Sequence, residues 1–148
     1  MAMDFFVTRP IPETGLRILR EAGTVEVWSD MQNESPGAEV IIRQGRESRI
    51  ILSLLTESIT TDILQALPNI RGVANYAVGF NNIHCETATL LGIPITNTPG
   101  ILTETTADLT WALILSIARR IPEADRFMRS GRYTIWDSRL LLGWDVGP

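Results

Sequence analysis

Apolar residues fall into two alternating patterns along this chain. Short, nearly continuous apolar runs bounded by Gly, Pro or polar clusters predict strands, and longer stretches with apolar positions three or four apart predict helices. Asp4 to Thr8 is a short β-prone run ended by Pro10, and Glu13 to Ala22 carries Leu16, Ile18 and Leu19 before a stop at Gly23. Val25 to Trp28 predicts a second strand. Arg49 to Leu55 is almost wholly apolar, as expected of a parallel strand covered on both faces. Thr60 to Leu67 follows as a helix closed by Pro68, then Ile70 to Ala77 as a strand, Ile83 to Leu91 as a helix ending at Gly92, and Ile93 to Thr96 as a fifth strand. Ser29 to Arg49 does not fit this alternation. It is polar, broken by Gly and Pro, with Val40 to Ile42 its one apolar cluster, and reads as a loop or a poor helix.

Strand and helix in turn predict an α/β fold: a mostly parallel sheet covered by helices on both faces and joined by right-handed crossovers. A flavodoxin-like sheet is the arrangement expected. From about Leu102 the pattern changes, and Leu109, Leu113, Ile117 and Ile121 mark an apolar stripe on one long helix. Thr103, Thr105 or Thr106 is its expected cap, Asp108 suits its first turns, and Pro122 predicts a kink or break. Glu123 to Arg129 restarts as a helix ending near Gly131. The expected division is therefore 1–101, a compact binding domain, and 102–148, the long helix and its tail.

At 148 residues the chain is sized for one main domain. A net charge of −4 excludes the electrostatic footprint of a nucleic-acid or anionic-membrane binder. All thirteen basic residues are Arg, and this removes Schiff-base chemistry and a P-loop lysine. The single cysteine, Cys85, forms no internal disulfide and has no second ligand or base at motif spacing, so it reads as a buried small residue. Met1 to Val7 does not place a basic region ahead of a long apolar run, so no signal peptide is predicted. The apolar stretch Trp111 to Ile117 is too short to span a bilayer. A cytoplasmic location is expected.

The run Asn75-Tyr76-Ala77-Val78-Gly79-Phe80-Asn81-Asn82-Ile83, followed by Gly92-Ile93-Pro94-Ile95-Thr96-Asn97-Thr98-Pro99-Gly100 and Thr103-Glu104-Thr105-Thr106-Ala107-Asp108, resembles the D-2-hydroxyacid dehydrogenases. The glyoxylate and hydroxypyruvate reductase branch is the most similar, and Phe5-Phe6-Val7-Thr8-Arg9 and Ser53-Leu54-Leu55-Thr56 agree with it. The resemblance implies a flavodoxin-like substrate domain and a long helix leading into a Rossmann domain that binds NAD or NADP. It also implies that the backbone N–H groups of Val78 and Gly79 hold the carboxylate of a small 2-oxo or 2-hydroxy acid. A loop at the carboxyl end of a central strand, with a glycine allowing close approach, can point free N–H groups at an anion; the alternative is an ordinary strand-to-helix turn. Leu54 and Leu55 would wall the same cleft, with core packing the alternative for at least one. Thr106 would approach the nicotinamide end of the cofactor, or else cap its helix. Trp136, in Tyr133-Thr134-Ile135-Trp136, resembles a residue on a loop that enters the neighbouring subunit's active site, the alternative being packing at an interface.

Three departures qualify the resemblance. His84, the one histidine, stands where the family has Asp and has no carboxylate partner beside it in sequence, so a surface or helix-capping role is expected rather than acid/base chemistry. No G-x-G-x-x-G occurs, and the family's catalytic Arg, Glu and His lie beyond this chain, which holds no catalytic residue by this reading and no metal ligands. Asp30 to Arg49 also leaves the family pattern. The expectation is a truncated member whose parent reduces glyoxylate, hydroxypyruvate or a similar 2-oxo acid with NAD(P)H. The chain alone is expected to be inactive, without tight cofactor binding, and homodimeric through its unpartnered helix. The alternative is a stand-alone flavodoxin-like module that binds a small carboxylate or regulates.

Overall fold

The computed structural model describes residues 3–29 and 34–147. β1 (Met3–Val7), α1 (Glu13–Ala22), β2 (Val25–Val27), α2 (Ala38–Gly45), β3 (Ser48–Leu54), α3 (Thr61–Ala66), β4 (Gly72–Tyr76), α4 (Cys85–Leu90) and β5 (Ile95–Thr96) alternate, all but α2 as the apolar pattern predicts. All strand pairs are parallel, in the order β2-β1-β3-β4-β5. The chain thus runs outward from β1 to β2, then returns across β1 to β3. In open sheets of this order, ligands bind beyond the carboxyl ends of the strands near that reversal.

The register explains both the core and the site. Phe6, Ile51, Val73 and Ile95 lie in one row across the sheet, and the first three are buried. Ile41 from α2, Ile63 and Leu64 from α3 and Ala88 from α4 complete the same cluster. Side chains alternate between faces with a period of two, so two residues further along, Thr8, Ser53 and Asn75 emerge on that same face. These three are also buried, and all are polar. The carboxyl edge of the sheet is therefore underlain by a polar row where the centre has an apolar one.

In the polar stretch 29–49, read as a loop or a poor helix, the structure has the helix α2 at Ala38–Gly45, and residues 30–33 of that stretch lie outside the described residues. No broad apolar stripe makes it. One side chain, Ile41, is 1% exposed, and at Gly45 an added Cβ would stand 3.3 Å from Ile51 Cδ1. Ile42 packs partly against the same core, and the last turn lies close to the sheet at Gly45, a contact that composition alone does not register.

A second compact unit, Ile101–Pro148, is separate from the first, Met1–Gly100. It contains α5 (Thr103–Ala118) and α6 (Ile121–Arg129). The break between them falls at Arg120, whose φ of 55° is left-handed, and Pro122 sits in the first turn of α6, as proline tolerates. The expected threonine caps are not used: Leu102 stands at the cap position without a side-chain bond, and Thr106 lies inside the helix with its N–H donating to Leu102 O. Nor are the apolar residues confined to one stripe. Leu109, Leu113 and Ile117 are exposed, and so are Trp111, Ile114 and Leu115 on other faces. Beyond α6 the tail returns to α5, where Trp144 N–H donates to Ala118 O at 2.8 Å.

Candidate functional site

The loop leaving β4 is held by its carbonyl groups. Thr98 N–H donates to Ala77 O at 2.9 Å, Asn97 Nδ2 to Val78 O at 2.7 Å, and Asn75 Nδ2 to Gly79 O at 2.9 Å. In a trans peptide the carbonyl and the following N–H point in opposite directions. No peptide bond among the described residues is cis. Binding the Ala77 and Val78 carbonyls to residues 97–98 thus turns the N–H groups of Val78 and Gly79 the other way. Among the described residues no acceptor meets either one. Two adjacent donors without an acceptor among the described residues, at the carboxyl end of a central strand, suit an anion such as a carboxylate.

Polar side chains below the loop complete this arrangement. Asn75, 2% exposed, accepts from Ser53 Oγ and exchanges bonds with Asn82, whose amide also donates to the carbonyls of Leu54 (3.1 Å) and Glu57 (2.9 Å). The loop after β3 and the loop after β4 are thereby tied through one amide pair, Asn75 buried and Asn82 half-buried. Glu57, 1% exposed, anchors the first loop: its carboxylate accepts from Leu54 N–H (2.6 Å), the Thr8 hydroxyl (2.7 Å) and the hydroxyls of Ser35 and Thr56. Burial alone would push this carboxyl up. The combined hydrogen bonds from Ser35, Thr56, Thr8 and the Leu54 amide outweigh it and hold Glu57 below the ordinary carboxylate range.

The structure places Leu54, Val78 and Gly79 at the same edge of the sheet, Leu54 half-buried and paired in register with Tyr76. Neither Leu54 nor Leu55 belongs to the buried core, and Leu55 is exposed. Gly79 does not have a positive φ; what it contributes is the absence of a side chain beside its N–H, where a Cβ would stand 3.1 Å from Asn81 Oδ1. A cavity of about 330 Å³ lies further along, between residues 58–62 and 81–84, and its wall includes none of Leu54, Val78 and Gly79. His84 caps α4, with Nδ1 accepting from Thr87 N–H, and Cys85 is half-buried at the helix start rather than fully buried. Among the described residues no group of His, Cys, Asp and Glu is placed to hold a metal ion. Thr106 and Trp136 both belong to the second unit and both are exposed. Glu57, Asn75, Asn82 and Asn97 were missed by the sequence reading. A signal existed for Asn75, since a polar residue inside an apolar strand must find partners.

The model of the D-isomer specific 2-hydroxyacid dehydrogenase catalytic domain matches residues 5–134. The chain belongs to this family. Among relatives of this chain, the glyoxylate reductase of Korarchaeum cryptofilum is 45% identical over 95% of the chain, and that of Thermococcus kodakarensis 46% identical over 99%. The chain spans 42% and 44% of these two relatives, less than half of each. Of solved structures, the TT0316 protein of Thermus thermophilus superposes with a TM-score of 0.87 at 34% identity, covering 97% of this chain and 46% of that one. An NADPH-dependent glyoxylate/hydroxypyruvate reductase of Sinorhizobium meliloti, solved with NADP and malonate, gives 0.70 at 26% identity, covering 90% and 40%.

A dinucleotide needs a glycine-rich turn ahead of a helix to cradle its pyrophosphate. No helix among the described residues follows a pair of glycines: Gly37 before α2, Gly79 ahead of α4 and Gly100 before α5 each stand alone. The described residues thus hold no glycine-rich cradle for a pyrophosphate, and no hydride-transfer step is assigned to them. No helix among the described residues is long and apolar enough to cross a membrane.

Proposed function

We propose that this chain supplies the acid-holding part of an NAD(P)H-dependent reductase of small 2-oxo acids such as glyoxylate or hydroxypyruvate, with the carboxylate bound by the N–H groups of Val78 and Gly79. The observation that carries the reading is the pair of adjacent amides without acceptors, aimed away from the carbonyl anchors at residues 97–98. Leu54 forms an apolar wall of the cleft. Thr106 faces the nicotinamide end of the cofactor and Trp136 enters the cleft of a neighbouring subunit, both on the strength of family resemblance. In this reading the protein is a cytoplasmic homodimer, and the 148-residue chain by itself neither turns over substrate nor binds NADH tightly.

Titrating oxalate or glyoxylate into the ¹⁵N-labelled chain tests the proposal. Binding at millimolar strength, about 4 kcal/mol, should move the amides of Val78 and Gly79 first. NADH added to the same sample should leave the spectrum unchanged at micromolar concentration. Shifts confined to other regions would sink the carboxylate assignment, and a micromolar NADH site would sink the expectation about the cofactor.

A further inference from the structure

We infer that Asn97 is a positioning residue for the carboxylate-binding amides. By donating to the Val78 carbonyl, it sets the plane of the Val78–Gly79 peptide and so the direction of the Gly79 N–H. The inference rests on the proposed role of Val78 and Gly79 and adds the side chain that aims them.

The need for an anchor follows from the glycine. Without a Cβ, Gly79 leaves its own φ the widest choice, so local sterics restrain the peptide that precedes it from the Val78 side alone. Among the described residues, only Asn97 Nδ2 meets the Val78 carbonyl, at 2.7 Å. The neighbouring carbonyls are fixed differently. Ala77 O receives the main-chain N–H of Thr98, which survives any change of side chain, and Gly79 O receives the buried amide of Asn75 from below the loop. Asn97 makes no other hydrogen bond among the described residues and is only half-buried, just past the short β5. It therefore contributes little to the core. Its visible effect is on one peptide plane, and that plane carries one of the two donors.

Replacing Asn97 with Leu keeps the approximate size and removes the donor, whereas Asn97→Gln keeps a donor on a longer arm. The measurements are the ¹³C shift of the Val78 carbonyl, the oxalate-induced shift of the Gly79 amide, and the oxalate dissociation constant, with melting as a check on folding. Asn97→Leu should melt close to the unmutated chain, move the Val78 carbonyl resonance, abolish the Gly79 response and weaken oxalate roughly tenfold, the scale of one lost hydrogen bond. Asn97→Gln should recover part of that loss. A Leu variant that binds oxalate undiminished with an unmoved Val78 carbonyl overturns the inference, and so does a Gln variant no better than Leu. Should Asn97→Leu fail to fold, Asn97→Ala carries the same comparison. If the unmutated chain binds no oxalate, the carboxylate reading falls by itself. The Val78 carbonyl shift then decides Asn97 alone, an unchanged value in the variant refuting its role.

Discussion

At Glu57, burial and charge oppose each other. Its carboxylate survives at 1% exposure because it collects one main-chain and three hydroxyl donors, from elements as distant in sequence as Thr8 and Ser35. The folded protein thus holds this carboxyl below its ordinary value of 4.5 while the unfolded chain does not. As pH falls below about 4.5 the unfolded state takes up the proton first, so Glu57's contribution is present above that pH and is lost as pH drops through the lower folded value. Glu57→Gln should cost about 2 kcal/mol at neutral pH, because one of the two acceptor oxygens becomes an NH₂ donor facing groups that themselves donate. The variant should also lose part of the acid limb of the stability curve. Urea melts of both proteins from pH 3 to 7 check this, and parallel pH dependences would show that Glu57 is not ionised in the fold. The residues around it were only half legible. Period-two alternation places Thr8, Ser53 and Asn75 on the face of Phe6, Ile51 and Val73, but nothing local names Glu57 and Asn82 as their partners.

Among the elements, α4 shows how a residue that invites a catalytic assignment serves a helix end instead. His84 Nδ1 meets both the N–H (3.3 Å) and the hydroxyl (2.9 Å) of Thr87. His84→Ala should lower stability by about 1 kcal/mol, and His84→Asn, which caps well, should restore most of it. Oxalate binding should be unaffected in both; a loss of binding in a stably folded His84→Asn protein would reopen a role at the site. Most elements follow from apolar runs and their punctuation, α1 with the same limits in sequence and in structure. α2 does so only weakly, because its apolar residues are the short cluster Val40 to Ile42 and its last turn meets β3 through a glycine, a contact without a side-chain signal. The threonine caps expected for α5 fail for a related reason: the helix begins one residue after Leu102, with Thr103 already in its first turn.

For the whole molecule, the exposed apolar surface of α5 is the feature with the largest consequence. Leu113 is exposed and Ile117 is 75% exposed, in a helix with no buried residue. Apolar surface of this extent favours association, and burying each such side chain contributes roughly 1.5 to 3 kcal/mol. The chain should therefore self-associate, with a symmetric pairing of α5 the simplest outcome. Leu113→Glu combined with Ile117→Glu should shift light scattering to the monomer mass. A monomeric, well-folded unmutated chain across micromolar concentrations would refute this. What the sequence determined by itself was the order and type of the elements other than α2, the parallel sheet and the family, because hydrophobic periodicity, glycine stops and contiguous motifs are local in the chain. Only the tertiary structure decided which carbonyls are gripped, and hence which amides are left free and where they point. Asn97 meets the Val78 carbonyl from nineteen residues away and Asn82 reaches the Leu54 carbonyl from twenty-eight, and hydrogen bonds between residues distant in sequence leave no periodic trace.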